Sequence, residues 1–307
     1  MAVGLNRLLV ATLPLLPKAL VGLFARTYVA GDTPDQAFAA VKKLNDQGFE
    51  TTLDILGEHV ESTEEAETIT EAYASLYHDI ARLGLRANIS LKPTHLGLDI
   101  QYDFCERNVF KILDAAQATN NFLRIDMENS PHTDATLQLY QRCLERYPRI
   151  GPVLQAYLYR SADDLGRLMN SPLNFRLCKG IYRESPEIAI QERSAINANF
   201  LALARQAFEG NVYTAIATHD VDLIRQVEEL IREKNLESSR FEFQALYGVP
   251  MGGVLEELKD KGYTVRIYVP FGEAWHAYAL RRAQENPNLA GYVLRNFLAR
   301  LVKPSTG

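Results

Sequence analysis

The sequence predicts an α/β protein folded as a (β/α)8 barrel. Three observations carry that prediction. Eight short runs rich in β-branched and aromatic residues alternate with helical stretches. Each run ends in polar or ionisable residues, as a barrel requires where its active-site loops begin. No Gly-x-Gly-x-x-Gly turn follows the first run, which argues against an open dinucleotide-binding sheet.

In chain order, a helical pattern opens near Thr33 or Pro34 and stops at Gly48, with Asp32 or Thr33 as cap and Pro34 in the first turn. The β-runs follow as FETTLDIL (49–56), LRANISLK (85–92), FLRIDME (122–128), GPVLQAYLY (151–159), FRLCKGIY (175–182), VYTAIATHD (212–220), FEFQALYG (241–248) and YTVRIYVPFG (263–272). Helices are expected at 63–84, 103–118, 133–147, 161–170, 185–210, 220–235, 254–262 and 273–285. A last amphipathic helix is expected at 288–302. The predicted organisation is an N-terminal helical arm (1–48), a catalytic barrel (49–303) and a short tail (304–307).

The arm contains LLVATLPLLPKALVGLF, apolar but broken by Pro14, Pro17 and Lys18. It is too interrupted for a spanning helix, which needs about 20 apolar residues, and it has no clean signal-peptide cleavage site. Two short packed helices are expected, with peripheral membrane contact as the alternative. A net charge of −5 disfavours nucleic acid as a partner. Cys105, Cys143 and Cys178 form neither a CxxC pair nor a zinc set and fit a reducing, cytoplasmic setting.

The strand ends gather Asp54 and Glu58, Lys92, Asp126 and Glu128, Gln155 with Tyr157, Lys179 and Tyr182, Thr218 with His219 and Asp220, Gln244 with Tyr247, and Tyr268. Three chemistries compete for this ring. Lys92 or Lys179 at a strand end suits a Schiff-base lyase. Asp126, His219 and Asp220 would make a metal site short of His and Cys, so no metal is expected. His59, His95 and His132 fall in loops with no evident role. The third chemistry is a flavin enzyme, whose carboxylate clamp would be Arg281 and Arg282, on one helix face with Tyr278. A non-catalytic barrel binding a carboxylate ligand is the reading from a different class.

RIDMENSP, VLQAYLYR, RLCKGIYRE, ATHD, FEFQALYG, YVPFG and YALRR, in this order, resemble the proline dehydrogenase family. Phe271 and Asn129 depart from its commoner Tyr and Asp. The resemblance implies a distorted barrel with the Arg-bearing helix over its mouth. It also implies non-covalent FAD, oxidation of L-proline to Δ1-pyrroline-5-carboxylate by hydride transfer from proline C5 to flavin N5, and a quinone as electron acceptor. Position by position, it implies that Arg281 and Arg282 grip the proline carboxylate with help from Lys92. Tyr268, Tyr278 and Leu246 would wall the proline ring, and Glu285 would orient the Arg pair. Asp126 and Arg176 would flank the reacting edge. Met127, Gln155, Arg176, Lys179, Gly180, Ile181, Tyr182, Thr218 and His219 would hold FAD. Tyr268 predicts preference for proline over hydroxyproline, although a hydroxyproline dehydrogenase stays an alternative. The chain length predicts a monofunctional enzyme whose product passes to a separate pyrroline-5-carboxylate dehydrogenase.

Overall fold

The expected eight β-runs form nine parallel strands: β1 (Glu50–Ile55), β2 (Ala87–Leu91), β3 (Leu123–Ile125), β4 (Ile150–Gly151), β5 (Val153–Gln155), β6 (Asn174–Cys178), β7 (Tyr213–Ala217), β8 (Phe241–Leu246) and β9 (Val265–Phe271). Between and around them lie α1 (Pro34–Asp46), α2 (Thr63–Leu83), α3 (Tyr102–Ala118), α4 (Thr133–Leu144), α5 (Ser161–Leu168), α6 (Arg193–Glu209), α7 (Val221–Glu233), α8 (Val254–Asp260) and α9 (Trp275–Glu285). The structure is a computed structural model describing residues 22, 25–210 and 212–285, without the side chains of 277, 281 and 283–285. The expected helix 288–302, the tail and residues 1–21, 23 and 24 of the N-terminal arm lie outside the described residues.

Hydrogen-bonded strand order is β4-β3-β2-β1-β9-β8-β7-β6-β5. The outermost members, β4 and β5, are separated in the chain by Pro152 alone. They are two halves of the expected fourth strand, one pairing with β3 and the other with β6. Proline has no N–H to give the ladder, so the strand breaks there. The Pro152 carbonyl still accepts from the Arg176 N–H at 3.0 Å. The sheet edges therefore meet, and the barrel is closed.

Local sequence sets the helix ends. Ser62 caps α2 by accepting from the Glu65 N–H at 3.2 Å, and Gly84 ends it in the left-handed conformation at φ 62°. Asp220 caps α7 by accepting from the Leu223 N–H. The expected 185–210 helix is shorter, because α6 begins only at Arg193. Residues 185–189 turn instead, with the Ser185 carbonyl accepting from Ile188 and Ala189. Ala189 bridges Leu158 and is buried with Tyr157. That tertiary contact outweighs local helix propensity.

Helix α1 precedes the first strand yet packs on β1 and β9 through Ala37, Phe38 and Val41. It fills the place in the helical ring that the helix after the last strand takes in a regular barrel. The segment around Ala25, Tyr28 and Val29 continues over the rim and packs on Leu56, Tyr278 and Ala279. Helix α9 is thereby held at the mouth. No described helix is long and apolar enough to cross a membrane.

Gly151 sits at the closure, where a Cβ would overlap the Asn174 carbonyl. Gly151→Ala should cost about 1–3 kcal/mol through backbone displacement, seen as a lower Tm. An unchanged Tm would show that the closure tolerates a side chain.

Candidate active site

The inside of this barrel is polar. Alternation along the strands brings together Thr52 and Asp54, Asn88, Ser90 and Lys92, Arg124 and Asp126, Arg176, Glu242 and Gln244, and Arg266 and Tyr268. At the base, Arg266 Nε donates to both Glu242 carboxylate oxygens at 3.0 Å. Burial pushes the Glu242 carboxyl up, but Arg266 and its hydrogen bonds outweigh this and leave it below the usual range. Gln244 Nε2 donates to Glu242 at 2.5 Å, while Gln244 Oε1 accepts from Arg176 Nε at 2.6 Å.

Arg176 then reaches Asp126, Nη1 to Oδ1 at 2.5 Å. Ser90 donates to the same oxygen at 2.7 Å. The Tyr268 hydroxyl donates to Asp126 Oδ2 at 2.8 Å, and the Arg176 guanidinium lies 5.2 Å from the Tyr268 ring centre. Burial, followed by the Asp126 and Asp54 charges, holds the Tyr268 hydroxyl well above its ordinary pKa. It is therefore a fixed donor to Asp126. Ser90 and Gln244 complete this cluster, yet the motifs assign neither a role. Their signal was the period-two polar pattern, ANISLK and FEFQAL, in runs that an apolar barrel core would have filled with Val, Ile and Leu.

Beside this cluster, Lys92 Nζ contacts both Asp54 oxygens, at 2.9 and 3.0 Å, and the Tyr73 hydroxyl lies 3.3 Å from Asp54 Oδ1. Burial alone would lower the Lys92 pKa. The Asp54 and Asp126 carboxylates outweigh it and hold the ammonium above its usual value. Lys92 is a fixed cation, not a neutral amine. His95, on the same side, is buried edge-on to Tyr73.

On the far side, the Leu246 N–H donates to His219 Nε2 at 2.9 Å, which leaves the His219 proton on Nδ1. Burial, Arg282 and Lys179 push His219 down to about 4. Lys179 pairs with Asp220 at 2.6 Å, and Thr218 Oγ1 accepts from the Asp220 N–H at 3.2 Å. Asp126, His219 and Asp220 thus each have separate partners and do not converge as a metal set. Gln155 Nε2 reaches the Met127 carbonyl at 3.4 Å. Its Oε1 is buried with no hydrogen-bond partner among the described residues. Gly180, at φ 106°, leaves no room for a Cβ against the Tyr157 ring, and the neighbouring Ile181 side chain is exposed. Tyr182 is half-exposed on the same loop.

Helix α9 spans this ring. Tyr278 lines a cavity with Lys92 and His95, whereas the Arg282 charge acts on His219 across the mouth. Both side chains are buried, and the Arg282 guanidinium lies 5.2 Å from the Tyr278 ring centre. The Arg281 and Glu285 side chains lie outside the described residues. The cavity, about 630 Å³, opens between α1 and α2 at the ends of β1 and β9 and is not lined by Asp126, Arg176, Gln155 or His219. Convergent charge, not this volume, marks the site.

Fold and site together give a (β/α)8-type barrel with cations fixed around a ring of polar strand ends. The model of the proline dehydrogenase family matches residues 37–294. Proline dehydrogenase 1 of Bacillus subtilis is 38% identical over 91% of this chain and 92% of its own. Proline dehydrogenase of Deinococcus radiodurans is 30% identical over 89% and 90%. A crystal structure of proline utilization A from Bdellovibrio bacteriovorus, inactivated by N-propargylglycine, superposes with a TM-score of 0.80 at 24% identity. This chain covers 34% of that longer protein and is 90% covered by it. The chain belongs to the proline dehydrogenase family.

His95, pushed down to about 3 by burial and then Lys92, and His219 both stay neutral in the fold. Unfolded imidazoles take a proton near pH 6.5. The unfolded state therefore gains protons first, and stability falls as pH drops from about 6.5 towards 4. The slope is up to about 1.4 kcal/mol per pH unit for each ring. Urea titrations should show this loss, and His95→Gln should remove about half of the two rings' slope, leaving the His219 share; an unchanged slope would mean that His95 is protonated in the fold.

Proposed function

We propose that the chain oxidises L-proline to Δ1-pyrroline-5-carboxylate with a non-covalently held FAD, as the first step of proline breakdown. The family match over residues 37–294 carries this reading. The donor set fits FAD. Gln155 offers a buried acceptor without a partner to an imide N–H, and His219 offers its Nδ1–H. Lys179, Thr218 and the loop through Gly180, Ile181 and Tyr182 supply cation, hydroxyl and close backbone, with Met127 and Arg176 completing the contact. When bound, FAD would supply the hydride acceptor.

Arg281 and Arg282 would hold the substrate carboxylate in a bidentate grip, with Lys92 adding positive charge from across the mouth. Fixing the carboxylate aims the far side of the ring at the cofactor. Leu246, Tyr268 and Tyr278 would close around the ring carbons. Asp126 and Arg176 hold Tyr268 in place. The cations, together with exclusion of water once substrate and cofactor are bound, would favour a neutral substrate amine, since like charge and desolvation both oppose an ammonium. Lys92, kept charged by Asp54, lacks the neutral nitrogen that a Schiff-base lyase requires. We further propose a quinone as electron acceptor, peripheral contact with the cytoplasmic membrane, and a separate pyrroline-5-carboxylate dehydrogenase as consumer of the product.

The full chain purified with FAD should be yellow and lose its oxidised-flavin absorbance on anaerobic addition of proline. Arg282→Met should keep the flavin and raise KM for proline roughly ten- to hundredfold, for a lost charged hydrogen bond of about 1.5–3 kcal/mol. A colourless protein that FAD cannot reconstitute overturns the reading.

Tyr268→Ser removes the ring and the donor to Asp126. Opening space for a 4-hydroxyl should narrow the proline-to-hydroxyproline ratio of kcat/KM. An unchanged ratio would take Tyr268 out of specificity.

A further inference from the structure

Three consecutive loops at the barrel mouth bring His59, Asp99 and His132 together, outside the cluster described above. His59 Nδ1 lies 2.7 Å from Asp99 Oδ2, and His132 Nε2 lies 2.6 Å from Asp99 Oδ1. The two rings face each other at 5.8 Å between centres, tilted by 51°. The ligating atoms of all three residues lie within 4.8 Å of one another.

We propose that His59, Asp99 and His132 form a binding site for a divalent cation of the zinc class. Two imidazoles and one carboxylate suit such an ion, whereas calcium and magnesium prefer all-oxygen sites. Nitrogen and oxygen ligands sit about 2.0–2.2 Å from zinc, so in a tetrahedral site two of them lie about 3.3–3.6 Å apart, and the two His–Asp contacts must lengthen to about that while the two imidazole nitrogens draw together. Small torsional changes in the exposed His59 and Asp99 side chains close that difference. Three protein ligands leave a fourth position for water.

The surroundings are built for ligation. His132 Nδ1 lies 2.5 Å from Asn129 Oδ1, which orients the ring and aims Nε2 at Asp99. A ligating histidine characteristically gives its second nitrogen to such an oxygen. The His59 N–H donates to Thr94 Oγ1 at 3.0 Å. Thr94 is in turn held by the buried Glu128, its N–H donating at 3.0 Å and its hydroxyl at 2.5 Å. His59 itself sits at φ 56°, a conformation that a non-glycine residue keeps only where its neighbours fix it. A bound ion would pin the loops after β1, β2 and β3. Those segments also carry Glu58, Lys92 and Asp126, so the ion would brace one side of the mouth.

The test is titration of the chelator-treated, FAD-loaded full chain with Zn2+ by calorimetry, with crystals soaked in Zn2+ for anomalous scattering. One ion per chain is expected, with an anomalous peak between the two rings. His59→Ala and His132→Ala should each weaken binding at least about tenfold, and Asn129→Ala should weaken it about 10- to 100-fold. His78→Ala, on α2, serves as the control and should change nothing. Stoichiometric binding that survives both ligand variants, no stoichiometric binding, or an anomalous peak elsewhere overturns the proposal. The wild-type peak decides the matter even if a variant misfolds. None of these readouts depends on proline turnover.

Discussion

The Asp126–Arg176 ion pair is the constraint on which the barrel's interior depends. Both groups are withdrawn from water, and a buried pair is tolerated only when its remaining donors and acceptors are also satisfied. Here they are satisfied from several strands at once. Ser90 comes from β2, Asp126 from the end of β3, Arg176 from β6, Gln244 from β8 and Tyr268 from β9. Deleting one partner would strand a buried charge, a loss of about 3–5 kcal/mol for such pairs. The same contacts fix the register of five strand ends around one point. The polar surface at the mouth is thus held from five strands at once.

Charge continues outwards in an ordered way. The base holds Arg266 against Glu242, the middle holds Arg176 against Asp126, and the rim holds Lys92 against Asp54 and Lys179 against Asp220. His219 stays neutral between rim cations because its burial, and then Arg282 and Lys179, oppose its protonation. A rim of fixed cations over compensated carboxylates suits an anionic ligand whose reacting end must remain uncharged. The swap of helices makes room for it. Because α1 closes the ring against β1 and β9, α9 is released to carry Tyr278 and Arg282 over the mouth.

Much of the fold was legible from pattern alone. All eight strand positions carried β-branched or aromatic runs with turn residues at their ends, and burial on one face of each helix followed from its 3.6-residue period. The exceptions have local causes. GPVLQAYLY divides at Pro152 because a missing N–H interrupts the ladder. SPEIAI turns instead of coiling because Ala189 is captured by Leu158. In the site, Asp126, Lys92 and Tyr268 stood out as charged or hydroxylated residues at strand ends, whereas Arg176, inside its strand, came only with the motif RLCKGIYRE. Ser90 and Glu242 went unassigned because a polar residue at every second position of a strand looks solvent-facing until its partner across the barrel is known.

The sequence by itself determined the barrel, the ring of strand-end polar groups and the family, since each resides in local period and short motifs. Only the tertiary structure decided which polar groups pair and where α9 lies. YALRR reads as a solvated helix until Tyr278 and Lys92 are found lining one cavity and the Arg282 charge is found bearing on His219. It also decided that His59, Asp99 and His132, spread over more than seventy residues of chain, meet at one point. Pairing across strands depends on barrel closure, and no local pattern encodes which distant carboxylate a given cation will face.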